Sequence, residues 1–292
     1  KTIQRITAEN HVVIVNQRDN SRATGDHAVY IVEPDREFVQ LFGNPTWSDG
    51  QRIGTADVFV LDRKKNIFRA ETNAVFKLPR AQIGQPSLLS ATATVSTNAS
   101  AEKPVVISAD VVAFKLPETN GPVQEIIAEN NVVISSESDQ SRATGDKAVY
   151  TEATGELELS GNPIWKIAQN EIRADVLAIG RTNQFFSAKT NVYLKLPAKF
   201  FEKNLKMDAT TNASATTNRL VEIFCNDLLY ATNVARLTGN VRANLLDEND
   251  SLTTLLCDFA NITFGPSNQV EKVLAQKNVV LQEIPAATLQ TN

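Results

Sequence analysis

A ten-residue phrase occurs twice in this chain. Ser21 to Tyr30 (SRATGDHAVY) returns as Ser141 to Tyr150 (SRATGDKAVY), with nine of the ten residues identical at an offset of 120 (141 minus 21). The flanks return as well. Gln4 to Ile14 answers Gln124 to Ile134 at 120, whereas Gly43 to Trp47 answers Gly161 to Trp165 and Ala70 to Pro79 answers Ala188 to Pro197, both at 118. Four collinear blocks with a drift of two residues define a duplicated structural unit, which restricts the fold to architectures that grow by stacking similar pieces. The repeat divides the chain into halves 1–117 and 118–292.

Within each half runs a finer rhythm. One kind of segment carries an Asp followed by alternating apolar residues, at Asp26, Asp57, Asp110, Asp146, Asp175, Asp227 and Asp258. The other carries an Asn before a Val-rich stretch, at Asn44, Asn73, Asn131, Asn162, Asn191, Asn240 and Asn278, with His11 in the first such place. Read along the chain, the two kinds alternate without a break. Two and four residues after each Asp the side chain is apolar, as in Phe59, Val112, Phe114, Leu177, Ile179, Leu229 and Ile262. After Asn the apolar positions are one and three residues on, as in Phe76, Ile134, Leu194 and Leu281. A period of two with one apolar face is the mark of half-buried strands, so the chain reads as all-β and antiparallel. The Asp and Asn positions fall where a strand should bend, because both side chains bond nearby backbone and tolerate turn geometry. Glycines at 25, 43, 145, 161 and 239 precede several of them, which suits a corner where the chain crosses between two sheets. The alternative, a ladder of carboxylates forming a catalytic or acidic site, fits less well because the Asp residues mark every rung instead of converging.

Two inserts interrupt the rhythm at equivalent points, about 79–104 and about 197–218. The second opens with AKFFEKNLKM, where a short amphipathic turn can cover a sheet edge or meet a lipid surface. Cys225 lies two residues before its Asp and Cys257 one before. That spacing places them on opposite faces of regular strands and reads as two buried thiols, with a disulfide as the alternative. Two histidines and no ligand spacing argue against a metal site. Twenty-nine basic against 33 acidic residues, a net charge of −4, gives no footprint for nucleic acid and no polybasic membrane signal. No apolar run approaches the roughly 18 residues of a spanning helix, and a start at Lys1 favours a processed or trimmed chain.

The segments Ala-x-x-Asn-Val-Val-Ile, Ala-Thr-Gly-Asp-x-Ala-Val-Tyr, Leu-x-Gly-Asn-Pro-x-Trp and Ala-Asp-Val-Leu resemble the OstA/LptA-like family, periplasmic lipopolysaccharide-transport proteins of Gram-negative bacteria. The resemblance runs from about Gln4 to Gln282 outside the inserts. It implies an elongated β-jellyroll built from tandem repeats, two antiparallel sheets forming an open V whose apolar interior holds lipid A acyl chains. It further implies stacking with other transport proteins, or head-to-tail with copies of itself, between inner and outer membranes. On that reading no cofactor is needed and the groove is lined by Phe59, Phe76, Val112, Phe114, Ile134, Leu177, Ile179, Leu194, Leu229, Ile262 and Leu281. The seven Asp residues are structural corners. This chain departs from a single small family domain in holding about twice the rungs and two long inserts.

The residues alone leave alternatives open. Inward apolar side chains can line a trough, where each buried CH₂ of a lipid gains roughly 0.8 kcal/mol, or pack on one another as a closed sandwich core. Trp47 and Trp165 read as core or rim anchors, and Arg22, Arg142, Lys77 and Lys195 as candidates for receiving lipid phosphates at a groove mouth. A polysaccharide-active enzyme or adhesin on a β-helix, or a scaffold assembling through free sheet edges, would share some of these features. No nucleophile elbow, phosphate loop or metal cluster stands out for catalysis.

Overall fold

A computed structural model describes residues 4–17, 20–79, 103–118, 123–201, 219–246, 251–265 and 269–285. These fall into two compact units that part between Gly161 and Asn162, inside the second sequence repeat. Among the described residues, the regular structure apart from the 3-10 turn at Ala198–Phe200 is antiparallel strand.

The first unit contains β1 (Arg5–Asn16), β2 (Ser21–Val32), β3 (Glu37–Phe42), β4 (Thr46–Ser48), β5 (Ile53–Thr55), β6 (Val58–Asp62), β7 (Ile67–Leu78), β8 (Val105–Lys115), β9 (Glu125–Ser136), β10 (Ser141–Thr151) and β11 (Glu156–Ser160). Each strand pairs with the next, with β3/β4 and β5/β6 acting as two strands interrupted at the bend. The second unit holds β12 (Ile164–Ile167), β13 (Asn170–Arg173), β14 (Val176–Gly180), β15 (Phe185–Pro197), β16 (Leu220–Ala231), β17 (Val234–Leu246), β18 (Leu252–Phe264), β19 (Val270–Gln276) and β20 (Val280–Ile284). Here β15 to β18 are long continuous strands, and β19 and β20 both lie against β18.

The strands fold back on themselves. Phe68 and Phe76 both belong to β7, eight residues apart, a separation of about 26 Å on a straight strand. Their ring centroids are 6.3 Å apart. The bend lies at Thr72 and Asn73, which take φ of 60° and 54°. The same pair of left-handed residues recurs at Asn10–His11, Gly43–Asn44, Asn130–Asn131, Thr190–Asn191, Gly239–Asn240 and Lys277–Asn278. Left-handed geometry costs an ordinary L-residue about 1–2 kcal/mol, and Asn and Gly bear it most easily. This is why Asn marks every second strand.

Opposite each such pair stands a single residue. Glu9 pairs with His27 and Val12 with Gly25, so Asn10 and His11 face Asp26 alone. Thr72 and Asn73 likewise face Asp110, and Asn130 and Asn131 face Asp146. The result is a two-against-one bulge at every rung, and bulges bend the strand that carries them. Asp26, Asp57, Asp110, Asp146, Asp175 and Asp258 each stand beside such a pair on the neighbouring strand.

Asp227 is the exception. Thr190 and Asn191 face Asn226, because Lys189 pairs with Asp227 and Val192 with Cys225. Gly239 confirms the placement: a Cβ there would lie 2.4 Å from the Asn226 amide, as one at Gly161 would lie 2.4 Å from Asp146. Asn240 also donates to Asn226 Oδ1 at 3.4 Å. The corner is one residue earlier than the sequence rhythm suggests, and Asp227 instead accepts the backbone N–H of Thr190 at 3.3 Å.

That shift corrects the cysteines too. Cys225 and Cys257 each stand one residue before a corner, both are buried, and both are free thiols on the same inward face. They lie on β16 and β18 with β17 between, where Val241 pairs with Cys257. Two strand spacings of about 4.8 Å put their backbones beyond disulfide reach.

Candidate functional site

The inward positions before and after each corner form continuous apolar rows. In the second unit one row runs Trp165, Ile172, Leu194, Ile223, Ala243, Leu255, Leu281 across seven strands, each paired with the next. Nine of the eleven predicted lining residues are buried: Phe59, Phe76, Val112, Phe114, Ile134, Leu177, Ile179, Leu194 and Ile262. Leu229 is not among them. With the corner at Asn226, the inward positions on β16 are Leu228 and Tyr230, and Leu229 faces out at 41% exposure. Leu281 is 70% exposed for a different reason. It sits on the apolar side but on β20, which among the described residues has no strand beyond it.

Among the described residues most of the interior is closed by its own side chains, and it is interrupted by an apolar cavity in each unit. The first, about 130 Å³, lies in the first unit between Ile14, Leu41, Trp47, Phe59, Leu61 and Phe114 among others. Four aromatic rings, Trp47, Phe59, Phe68 and Phe114, line it. Phe76 packs against three of them, and contacts within the group have centroids 4.6 to 6.3 Å apart. Gly54 leaves space for them, since a Cβ there would lie 2.1 Å from the Phe76 ring. At the rim the Arg52 guanidinium lies 5.5 Å over Trp47 and pairs with Asp49, both side chains being mostly buried. Burial works to raise the Asp49 pKa, but the Arg52 backbone N–H and guanidinium outweigh it and hold the carboxyl below its ordinary value. The pair leaves no free charge inside an apolar wall.

The second cavity, about 400 Å³, lies in the second unit among Phe201, Ile223, Leu237, Ala243, Leu255 and Leu281, with Glu271 and Lys272 at its margin. Phe201 comes from the start of the second insert, just after the 3-10 turn. The rest of that insert, and nearly all of the first, lie outside the described residues. Both cavities share one feature that the apolar pattern alone does not reveal: each is lipped by an edge strand. Ile14 and Asn16 of β1 border the first; Lys272 and Val273 of β19 and Leu281 of β20 border the second. The same strands concentrate exposed apolar residues: Ile6, Val13 and Val15 on β1, and Val273, Leu274, Val280 and Leu281 on β19 and β20.

Trp47 lines the first cavity, whereas its repeat equivalent Trp165 is buried and lines neither. Phe76, Val112, Ile134, Leu177, Ile179 and Leu194 also line neither. The basic residues Arg22, Lys77, Arg142 and Lys195 belong to outward rows and border neither cavity. Among the described residues no group of three or more His, Cys, Asp or Glu is placed to hold a metal ion. No helix among them is long and apolar enough to cross a membrane.

A search of curated proteins returns no match. Among solved structures, the chain is similar to LptH of Pseudomonas aeruginosa, described as the LptA homologous periplasmic component of the lipopolysaccharide transport device. That likeness has 12% identity, covers 45% of this chain and 75% of LptH, and gives a TM-score of 0.32. A family profile described as LptA/(LptD N-terminal domain) LPS transport protein matches residues 88–185. Across that stretch, which contains the second copy of the repeated phrase, the chain is similar to the LptA/(LptD N-terminal domain) proteins of lipopolysaccharide transport.

Proposed function

We propose that this chain is a non-enzymatic periplasmic carrier that receives the acyl chains of lipopolysaccharide between its folded sheets and helps bridge inner and outer membranes. The observation that carries this is the pair of apolar cavities, each bordered by a strand that has no further strand beyond it among the described residues. An acyl chain entering either one exchanges water for aliphatic and aromatic walls, at roughly 0.8 kcal/mol per CH₂. A partner strand added to β1, or to β19 and β20, would cover the exposed valines and leucines and prolong the apolar row past its present end. Another transport protein or a second copy in head-to-tail register would both serve.

The test is photocrosslinking to lipopolysaccharide from probes replacing Leu61 in the first cavity and Leu281 in the second, with a probe at outward Lys77 as the control. Adducts at Leu61 and Leu281, without one at Lys77, are expected. Equal labelling at all three, or none in a chain that retains its β-sheet circular dichroism, would rule out the interior as the lipid site.

A further inference from the structure

The outer face of the second unit differs from that of the first in one row. In the first unit the outward row two residues from the corners is small and uncharged: Thr24, Thr46, Thr55, Val75, Ser108 and Val133, each paired with the next. In the second unit the corresponding row reads Arg173, Tyr193, Phe224, Arg242 and Leu256. Thr55 and Val75 are the repeat equivalents of Arg173 and Tyr193, at the same offset of 118. The four large side chains stack across their strands. Arg173 lies 5.4 Å over Tyr193, the Tyr193 and Phe224 rings are 5.2 Å apart, and Arg242 lies 4.3 Å over Phe224.

The two arginines differ in their freedom. Arg173 is paired with Glu171, which also holds Lys166 at 3.2 Å. Arg242 makes no ion pair among the described residues, and its guanidinium rests over the Phe224 ring. Beside it the corner opens a surface recess bordered by Phe224, Asn240, Arg242, Leu256, Asp258 and Asn278, together with the inward residues Val241 and Cys257. The Asp258 carboxylate already accepts the Asn278 amide at 2.9 Å, which partly satisfies it.

We infer that this recess is a binding site for an acidic saccharide. Its groups match such a ligand one by one. The pre-oriented guanidinium pairs with a carboxylate or phosphate, the two Asn side chains exchange hydrogen bonds with ring hydroxyls, and Leu256 with the Phe224 edge packs against the C–H face of a sugar. Phe224 and Arg242 face away from the interior, since Ile223 and Ala243 beside them point inward. A ligand held on Phe224 and Arg242 is therefore on the outer face of the sheet, although Val241 borders both the recess and the apolar cavity. The occupant is a glycan independent of any lipid held inside, and the site stands whether or not the interior binds lipid.

The test is a titration of the whole chain with a galacturonate trimer, followed by amide NMR, with maltotriose as the uncharged comparison. Saturable shifts in the side-chain amides of Asn240 and Asn278 are expected with the trimer, and weaker binding with maltotriose. Arg242→Gln should weaken the trimer about tenfold, the loss of one charge-assisted pair, while Lys77→Gln on the first unit's outer face should leave it unchanged. Indistinguishable binding of trimer and maltotriose, shifts that spare the two Asn amides, or full affinity in Arg242→Gln would each overturn the assignment.

Discussion

Asn191 donates its side-chain amide to both carboxylate oxygens of Asp175, at 3.1 Å each. Asn131 does the same to Asp110 at 3.2 and 3.0 Å, while Asn73 and Asn278 reach one oxygen of Asp57 and Asp258. The residue that takes the left-handed bend also ties down the strand next to it. One side chain supplies the backbone conformation and the lateral bond together.

Separating those two roles is straightforward. Asn191→Gly keeps the left-handed conformation and loses only the bond to Asp175, whereas Asn191→Ala loses both. Urea unfolding should show Ala destabilising by about 2 kcal/mol and Gly by about 1 kcal/mol or less. Equal effects would mean that the φ of Asn191 is not a source of strain for other residues.

Gly54 and Phe76 form a size-matched pair. Their repeat equivalents, Ile172 and Leu194, occupy the same paired positions with the volume redistributed. Gly54→Ile alone should destabilise by about 3 kcal/mol or more, because the new side chain collides with the Phe76 ring. Adding Phe76→Leu should recover most of that loss. A thermal or urea melt of the double variant no better than the single one would show that the two repeats pack differently here.

Burial, with the Asp227 charge adding to it, pushes the Cys225 thiol up to about 12 from an ordinary value of 9.0. The folded state thus holds this proton more tightly than the unfolded state. The stability it contributes is fully present below pH 9 and is lost as pH rises from 9 towards 12. Cys225→Ala should flatten the alkaline limb of the stability profile. In the native chain at pH 8, thiol reagents should modify Cys225 at least about a hundredfold more slowly than in urea.

Leu281 is exposed on an edge strand and makes little contribution to packing within its own unit. Leu281→Lys should shift the unfolding free energy by less than about 0.5 kcal/mol. It should nonetheless suppress concentration-dependent self-association and lipid capture at the second cavity, since a charged edge resists strand addition. Sedimentation velocity and lipid copurification read the two effects separately. Unchanged association would place the partner surface elsewhere.

Much of this fold was legible because its corners need rare chemistry. A left-handed pair favours Asn or Gly, so Asn73, Asn131 and Asn191 announce themselves in the sequence, and parity counted from them predicts Ala74, Val132 and Val192 as inward residues, which are buried. Counting failed at β16 because the single residue opposite the bend needs only a short polar side chain. Asn226 serves there as well as an Asp, and the adjacent Asp227 was the more conspicuous choice. The cavities were not legible in the same way. Alternation identifies which side chains face inward, but whether Phe114 meets a void or Leu177 meets a neighbour depends on ring orientations and on where a strand lacks a partner. The aromatic and arginine row was written in the sequence at Arg173 and Tyr193, yet only strand register brings them beside Phe224 and Arg242.

The two-against-one corner has a consequence for how such a chain can lengthen. A strand with the left-handed pair spends one more residue on the bend than its neighbour, like a runner in the outer lane, and the next strand gives that residue back. Neighbours therefore stay in step over any number of rungs, provided that outer and inner lanes alternate. Inserting one strand would set two like lanes side by side and throw every later residue onto the wrong face. Genetic growth of this architecture is thus quantised in strand pairs, and the duplication seen in this chain, carrying Asp26 onto Asp146, Asn44 onto Asn162, Asp57 onto Asp175 and Asn73 onto Asn191, is a step that the geometry permits.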